Sequence, residues 1–234
     1  MRTPAALSAA MTTAPDEDAL RTARILLEIE AIHIRPAQPF TFTSGTASPV
    51  YVDCRKVISF PRARRAIIDM AVAKIERAIG FESVDAVAGG ETAGIPYAAW
   101  IADRLGLPML YVRKKPKGFA RNAQIEGELK PGARVLLVED LASDGKSKVA
   151  FVEALRTAGA EVSDALVVFF YSAFPGGLGI LDKIGVRLHA LATWKDVLEV
   201  AGAHQKISAS DLVEVRAFLA DPVKWSVAHG GAGE

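Results

Sequence analysis

The chain has 234 residues, enough for one α/β domain of ordinary size with small additions. Half of the residues are hydrophobic, and 28 basic against 27 acidic side chains give a formal charge of +1, which excludes a strong global field for nucleic acid or an anionic membrane. The single cysteine, Cys54, excludes an internal disulfide and a zinc framework, and no apolar run approaches the roughly 18 residues of a membrane helix.

The N-terminal region predicts a tail, a helix and a hairpin. Residues 1–15 lack the charged-then-apolar order of a secretory signal, so we expect a disordered extension, with Met11 as an alternative start, on a cytoplasmic protein. Asp16 predicts a capped helix to about residue 31. Residues 40–53 alternate about a Ser44-Gly45 turn and predict a hairpin.

From residue 59 onward, helices alternate with short apolar strands. The predicted helices cover about 61–80, 94–105, 146–159 and 208–220, the last one ended by Pro222. The predicted strands are 84–88, 109–112, 135–138, 165–170 and 188–193. The segment 113–127 is longer than an ordinary connection between two elements and predicts a functional loop, called the working loop below. Continuous apolar strands between helices predict an α/β fold, with a mostly parallel twisted sheet flanked by helices on both faces.

The most informative segment follows the strand at 135–138. Four apolar residues lead into Glu139 and Asp140, and a small polar turn, Ser143 to Ser147, opens the next helix. Backbone N–H groups at a helix start favour phosphate, while paired acids can accept hydrogen bonds from sugar hydroxyls or organise a divalent cation. The segment therefore predicts a phosphorylated ribose site; the alternative is a turn whose acids only cap the helix.

Three further segments have binding chemistry. Residues 87–96 are glycine-rich and follow a strand, which suits a nest of N–H donors; a plain turn is the alternative. Residues 111–119 hold four cations and suit a lid over a polyanion; a solvated charge run is the alternative. Residues 44–55 place Tyr51 where it could stack on a flat ligand, against the alternative of an ordinary hairpin.

Taken together, these four segments resemble the orotate phosphoribosyltransferases. The matching motifs are S-G-x-x-S-P-x-Y-x-D, G-G-E-T-A-G-I-P, Y-V-R-K-x-x-K-G and V-L-L-V-E-D-L, in the family's order across roughly residues 20–200. The resemblance implies a single phosphoribosyltransferase domain over 16–226, with a small hood from about 16–58 and C-terminal elements. Residues 227–234 are expected to form a flexible tail.

The resemblance also implies a reaction. Ribose 5-phosphate would pass from phosphoribosyl pyrophosphate to N1 of orotate, giving orotidine 5′-phosphate and pyrophosphate in pyrimidine nucleotide synthesis. Mg²⁺ would be bound through the substrate or on Asp140. The basic loop would reach into the neighbouring subunit of a homodimer, and no nucleic acid or membrane partner is expected.

The resemblance assigns roles to individual residues. For catalysis they are Asp140, Lys117 and Arg113; for phosphoribosyl pyrophosphate, Glu91, Thr92, Arg113, Lys114, Lys117, Glu139, Asp140, Leu141, Ala142, Ser143, Asp144, Gly145, Lys146 and Ser147; and for orotate, Tyr51, Val52 and Ser143.

The chain departs from the common pattern of that family at several positions. Phe119 stands where many relatives have histidine, and Thr43 and Ala93 stand where lysines are common. Residues 171–174 replace an arginine-bearing segment that contacts the orotate carboxylate in many members. Lys146 stands where a small or hydroxyl residue is usual, and it would either pair with the 5′-phosphate or point into solvent.

Two other functions compete with this prediction. A transferase acting on a purine would share the phosphate turn but lacks the S-P-x-Y-x-D segment. A regulatory protein that kept the fold and bound nucleotide or RNA would need a basic surface, which a charge of +1 does not provide.

Overall fold

The computed structural model describes residues 16–117, 124–143, 145–174, 179–204 and 207–233, apart from the side chains of Lys146, Ala203 and His204. Its ten strands are β1 (Ile32–Ile34), β2 (Phe40–Thr41), β3 (Ala47–Ser48), β4 (Val50–Val52), β5 (Ala86–Gly90), β6 (Met109–Val112), β7 (Ile125–Glu126), β8 (Val135–Ala142), β9 (Asp164–Phe170) and β10 (Arg187–Thr193). Its helices are α1 (Glu17–Glu28), α2 (Pro61–Ala78), α3 (Gly94–Leu105), α4 (Lys146–Thr157), α5 (Gly179–Asp182), α6 (Trp194–His204), α7 (Ala209–Ala220) and α8 (Pro222–Ala228). A 3-10 helix spans Cys54–Ser59.

Six strands form the central sheet in the order β10-β9-β8-β5-β6-β7. All neighbours are parallel except β7, which runs antiparallel to β6 within the predicted working loop. The predicted mostly parallel α/β fold is therefore confirmed. Among the described residues, no helix combines the length and apolar composition of a membrane span.

Both faces of the sheet are buried, as continuous apolar strands require. In β8, Leu136 and Val138 pack into one hydrophobic cluster, while Val135 and Leu137 pack into another. All four side chains are at most 3% exposed. Because neighbouring residues of a strand point to opposite faces, β8 needs apolar residues at every position rather than at alternate ones.

Strand β8 is longer than predicted. The sequence placed its end at Val138, but pairing with β9 continues through Glu139 and Leu141 to Ala142. Glu139 and Asp140 therefore belong to the last residues of a paired strand, and pairing with β9 sets their backbone geometry.

The helix termini follow their capping residues. Asp16 accepts a hydrogen bond from the Asp18 N–H and caps α1, which ends at Glu28, a few residues before the predicted end. Helix α3 has the predicted bounds, and Gly106 terminates it in the left-handed conformation at φ 66°. Ser208 caps α7 through the Asp211 N–H, as predicted.

The N-terminal strands differ from the single hairpin predicted over residues 40–53. Strands β2 and β3 do form an antiparallel hairpin around Gly45, whose φ is 84°. Strand β4 instead pairs with β1, in the register His33 opposite Tyr51. The alternating residues of β4 could pair with either β1 or a neighbouring hairpin strand. The sequence pattern alone therefore did not identify β1 as the partner of β4.

The C-terminal segment packs against this hairpin. Pro222 ends α7 as predicted, but it also occupies the first turn of α8, where its fixed φ suits a helix start. Beyond α8, the Ala232 N–H donates to the Gly45 carbonyl at 2.9 Å. Gly231 and Ala232 thus contact the hairpin, while the flexible tail predicted over 227–234 stays a prediction.

Candidate active site

The carboxyl ends of β5, β6, β8 and β9 converge on two clefts. The first, the hood cleft, has a volume of about 830 Å³ and lies between the β2–β3 hairpin and the ends of β8 and β9. The second, the sheet-edge cleft, has a volume of about 730 Å³ and lies over β5, β8 and the start of α4. Tyr51, Val52 and Leu141 line both and form a shared wall. Parallel sheets bind ligands at this edge.

Glu139 lies at the floor of the sheet-edge cleft with 8% of its surface exposed. Its Oε2 is 3.3 Å from Nζ of Lys148, which is 6% exposed. Its Oε1 is buried and has no hydrogen-bond partner among the described residues. Lys148 thus holds the Glu139 carboxylate in place at the floor of the cleft.

Two glycines make room for this carboxylate. A methyl group added to Gly90 would overlap both Glu139 Oε1 and the ring of Phe151. One added to Gly94 would come within 2.8 Å of the same oxygen. The glycine-rich segment thus allows the end of β5 and the start of α3 to close around Glu139, in addition to offering backbone donors.

Burial sets the charge state of the acid pair. Desolvation raises the pKa of Glu139 to about 7, with the Lys148 ammonium opposing the shift and the neighbouring Asp140 charge adding to it. Burial also raises the pKa of Asp140, and Lys148 again opposes the shift. Both acids therefore sit in a partly desolvated site where hydrogen bonds and charges have strong effects.

The phosphate turn begins at the end of β8. Ser143 lines the hood cleft, and Ser147 lines the sheet-edge cleft at the first turn of α4. Gly145 provides the N-cap in the left-handed conformation at φ 76°. Helix α4 has no acid in its first turn, so its N–H groups retain the positive end of the helix dipole. Asp144 and the Lys146 side chain lie outside the described part of the chain.

The remaining predicted donor-binding residues fall into two groups. Glu91, Thr92 and Lys114 line the sheet-edge cleft with Glu139, Asp140 and Leu141. The Lys114 N–H donates to Glu91 Oε2 at 2.7 Å, which joins the glycine-rich segment to the base of the basic loop. The Ala142 side chain is buried instead, and its carbonyl accepts the Tyr171 N–H at 2.9 Å.

Arg113 and Lys117 line neither cleft within the described part of the chain. The Nη1 atom of Arg113 lies 3.5 Å from Glu126 Oε1, and Lys117 is exposed. Phe119 belongs to residues 118–123, outside the described ranges. Within one chain, only Lys114 of the three predicted loop cations thus reaches the sheet-edge cleft.

The predicted orotate-binding residues lie on the hood cleft. Tyr51, Val52 and Ser143 all line it. Tyr171 lines it as well, and its hydroxyl accepts the Val52 N–H at 3.2 Å. The 171–174 segment, which lacks the arginine common in relatives, thus contributes an aromatic hydroxyl and Phe174 to this cleft.

Sequence reasoning missed two residues that line the clefts, Lys148 in the sheet-edge cleft and Arg35 in the hood cleft. Lysines in the first turn of α4 run against the helix dipole, and this conflict could have indicated that Lys148 has a nearby anion. Arg35 had no comparable signal, because it follows a three-residue strand in a segment whose partner could not be identified from the pattern.

This sheet, with paired acids beside a helix-start turn at its carboxyl edge, is the arrangement of a phosphoribosyltransferase. The phosphoribosyl transferase domain family matches residues 59–208, more than half of the chain. An orotate phosphoribosyltransferase of Cereibacter sphaeroides is 54% identical over 92% of this chain and 92% of its own, and one of Sinorhizobium medicae is 53% identical over 90% and 91%. The crystal structure of the Aeropyrum pernix orotate phosphoribosyltransferase superposes with a TM-score of 0.66 at 32% identity, covering 77% of this chain and 99% of that one.

The chain belongs to the orotate phosphoribosyltransferase family. The resemblance predicted from the four segments is confirmed, and so is the assignment to an enzyme that transfers a phosphoribosyl group in pyrimidine nucleotide synthesis.

Proposed function

We propose that the two clefts bind the two substrates of one reaction, transfer of ribose 5-phosphate from phosphoribosyl pyrophosphate to N1 of orotate. The acid pair at the end of β8 carries this proposal. Glu139 and Asp140 lie beside the α4 turn and on the sheet-edge cleft, while the adjoining Leu141 also lines the hood cleft. A ribose at the acid pair would therefore have phosphate donors on one side and a second binding space on the other.

The turn from Ser143 to Ser147 would hold the 5′-phosphate. Its support is the left-handed Gly145 and a twelve-residue α4 whose first turn has no acid. Backbone N–H groups at such a helix start donate to phosphate oxygens, and the two serine hydroxyls add donors. The predicted contributions of Asp144 and Lys146 belong to the same turn and remain proposals.

Glu139 and Asp140 would accept hydrogen bonds from the ribose hydroxyls. The position of both acids on the sheet-edge cleft supports this role, with the Glu139 carboxylate held by Lys148 at 3.3 Å. Negative charge at this position would also favour the cation-like ribose that forms as the bond to pyrophosphate breaks. No protein nucleophile is required for this step.

The pyrophosphate would leave along the glycine-rich segment and Lys114. Lys114 lies on the sheet-edge cleft, and Arg113 and Lys117 are in the same basic loop. The charge on the leaving pyrophosphate grows as the bond breaks. Cations that stabilise this charge more in the transition state than in the ground state raise the rate of transfer. Closure of the loop would also exclude water from the ribose.

The acid pair also fits a shared Mg²⁺. The described residues contain no group of three or more potential ligands from His, Cys, Asp and Glu. Mg²⁺ commonly takes one or two carboxylates and completes its shell with substrate phosphates and water, so Asp140 together with a diphosphate is a suitable donor set. When bound, the ion would neutralise charge on the diphosphate.

Orotate would occupy the hood cleft, with N1 toward the ribose. Tyr51 could stack on the flat pyrimidine, and Val52 and Ser143 offer backbone or hydroxyl groups for its edges. The Val52 N–H is already bonded to Tyr171, so orotate would either displace that bond or use the remaining groups of the wall.

A homodimer with shared sites is the proposed assembly. Its support within this chain is the position of Lys117, which is exposed and lines neither cleft. A loop lysine placed in this way could serve the site of a second subunit, as the family resemblance implies. A cytoplasmic location is proposed from the single, buried thiol of Cys54.

The defining experiment follows loss of orotate in the presence of phosphoribosyl pyrophosphate and Mg²⁺. Adenine, guanine, hypoxanthine and uracil are offered in parallel. We expect turnover with orotate and little with the other bases. Turnover of a purine without turnover of orotate would contradict the proposal.

A further inference from the structure

The hood cleft contains a single formal charge. Among the described residues that line it, only Arg35 is ionised at neutral pH, and the others are aromatic, aliphatic or hydroxyl-bearing, apart from Pro39. The sheet-edge cleft is different, because acids such as Glu91 and Asp140 there face cations such as Arg55 and Lys148. The hood cleft is thus suited to a largely flat, uncharged ligand with one anionic group.

The backbone at Arg35 is fixed by the hood strands. Arg35 follows β1, and its N–H donates to the Pro49 carbonyl at 2.7 Å. Its own carbonyl accepts the Gln38 N–H at 3.3 Å, which closes the turn toward β2. The side chain therefore starts from a defined point at the rim of the cleft.

The guanidinium of Arg35 lies over an aromatic ring. Its central carbon lies 4.0 Å from the centroid of Phe40, and the Phe40 and Tyr51 centroids are 5.5 Å apart. Stacking uses the face of a guanidinium and leaves its N–H edges free. No ion pair joins Arg35 to an acid among the described side chains, so those edges are available to a ligand.

We propose that Arg35 recognises the carboxylate of the pyrimidine substrate and so selects orotate over uracil. The inference rests on the proposed placement of orotate in the hood cleft. A guanidinium edge offers two parallel N–H donors that match the two oxygens of a carboxylate. Tyr51, in the same aromatic cluster, is in position to meet the flat ring to which that carboxylate is attached.

Steady-state kinetics of Arg35→Ala test the proposal. We expect KM for orotate to rise at least about tenfold, with KM for phosphoribosyl pyrophosphate and kcat within about threefold of wild type. Arg35→Lys should recover part of the loss, since it keeps the charge but not the paired donors. Arg216→Ala, an exposed arginine on α7 that lines neither cleft, is the matched control and should behave as wild type.

A binding experiment separates carboxylate recognition from a general role of Arg35 in the hood. Calorimetry compares orotidine 5′-phosphate with uridine 5′-phosphate, which lacks only the carboxylate. We expect wild type to prefer the former, and Arg35→Ala and Arg35→Gln to lose that preference while binding uridine 5′-phosphate normally. An unchanged preference in both variants would overturn the role of Arg35. Failure of wild type to turn over orotate would instead overturn the proposed function.

Discussion

A buried carboxylate beside a buried ammonium sets the charge at the floor of the sheet-edge cleft. Glu139 and Lys148 are 3.3 Å apart and each less than a tenth exposed. Removing one member of such a pair leaves the other desolvated and unpaired, which costs far more than the pair itself contributes. The lysine is therefore expected to control both the stability of the fold and the charge of Glu139.

Lys148→Met should destabilise the protein in a pH-dependent way. The pKa of Glu139 is already raised from 4.5 to about 7, and loss of Lys148 raises it further. A raised pKa means that protonation of Glu139 favours the folded state at low pH, and that this stabilisation disappears as pH rises through the folded-state pKa. We expect a loss of roughly 3–5 kcal/mol in the free energy of unfolding at pH 8 and a clearly smaller loss at pH 5.

Urea unfolding of both proteins at the two pH values measures the difference. Lys148→Arg keeps the charge, so its difference in stability from wild type should be nearly the same at pH 5 and pH 8. In the double variant Lys148→Met/Glu139→Gln, the loss in the free energy of unfolding should be the same at pH 5 and pH 8. Equal losses at both pH values would mean that the ion pair does not control the charge of Glu139.

The same titration should appear in the kinetics. An ionised carboxylate acts only as a hydrogen-bond acceptor, whereas the protonated acid loses part of that acceptor capacity. Since kcat/KM reports groups of the free enzyme, we expect kcat/KM for phosphoribosyl pyrophosphate to rise as pH increases through about 7. In Glu139→Gln this rise should vanish, leaving only the ionisation of the substrate's own phosphate, whose pKa is about 6. A rise centred near 7 that persists in the variant would exclude Glu139 as its source.

At the level of elements, the hood depends on segments far apart in the chain. The buried Ser226 hydroxyl in α8 accepts the Ala47 N–H of β3 at 2.9 Å and donates to the Ala232 carbonyl at 2.7 Å. Gly231 packs so closely on Ala47 that a side chain would overlap its backbone N. The C-terminal segment thus holds the hairpin that forms one side of the hood cleft.

Ser226→Ala should therefore weaken the hood. The Ala47 N–H would lose its partner in a buried position, at a cost of about 1–3 kcal/mol. We expect the variant to have a lower urea midpoint than wild type. Its KM for orotate should be higher than that of wild type, because the hairpin lines the hood cleft. Ser210→Ala, on the exposed start of α7, is the control. Unchanged stability in Ser226→Ala would show that water replaces the serine hydroxyl without loss.

Local signals predicted the elements well and their partners poorly. The bounds of α3 follow from Gly94, Gly106 and the apolar face between them, all of which are local. The partner of β4 is β1, which no local pattern specifies. Pro222 was predicted only to end α7, but the same proline also begins α8, and the sequence pattern did not indicate this second role.

The site shows the same division. Glu139, Asp140 and the turn at 143–147 were predictable because strand, acids and helix start are contiguous in the sequence. Lys148 was missed because its partner is nine residues away and the contact depends on how α4 folds back over β8. Arg35 and Ser143 are 108 residues apart, and only the tertiary fold brings them to one cleft.

At the level of the whole molecule, the sheet supplies the acid pair while the loop cation Lys117 remains outside both clefts of its own chain. The proposed shared-site dimer makes a direct prediction. Lys117→Ala and Asp140→Asn should each lower turnover by more than about tenfold, because each removes charge that acts on the transition state. If the two residues come from different subunits, a mixture of the variants should regain activity.

Random pairing would give about half hybrid dimers with one intact site each, or about a quarter of wild-type activity. The measurement is turnover after the two variants are mixed, unfolded and refolded together. Each variant refolded alone is the control. Activity that never exceeds the sum of the two controls would place both residues in the same subunit's site.

The wall of Tyr51, Val52 and Leu141 separates the two clefts and faces both. Any displacement that an occupant of one cleft imposes on this wall also changes the shape of the other. The two affinities are then thermodynamically linked, and the linkage is reciprocal: the factor by which the sugar donor alters the affinity for the pyrimidine equals the factor by which the pyrimidine alters the affinity for the donor. A three-residue partition can in this way make binding of the two substrates cooperative without a separate regulatory site.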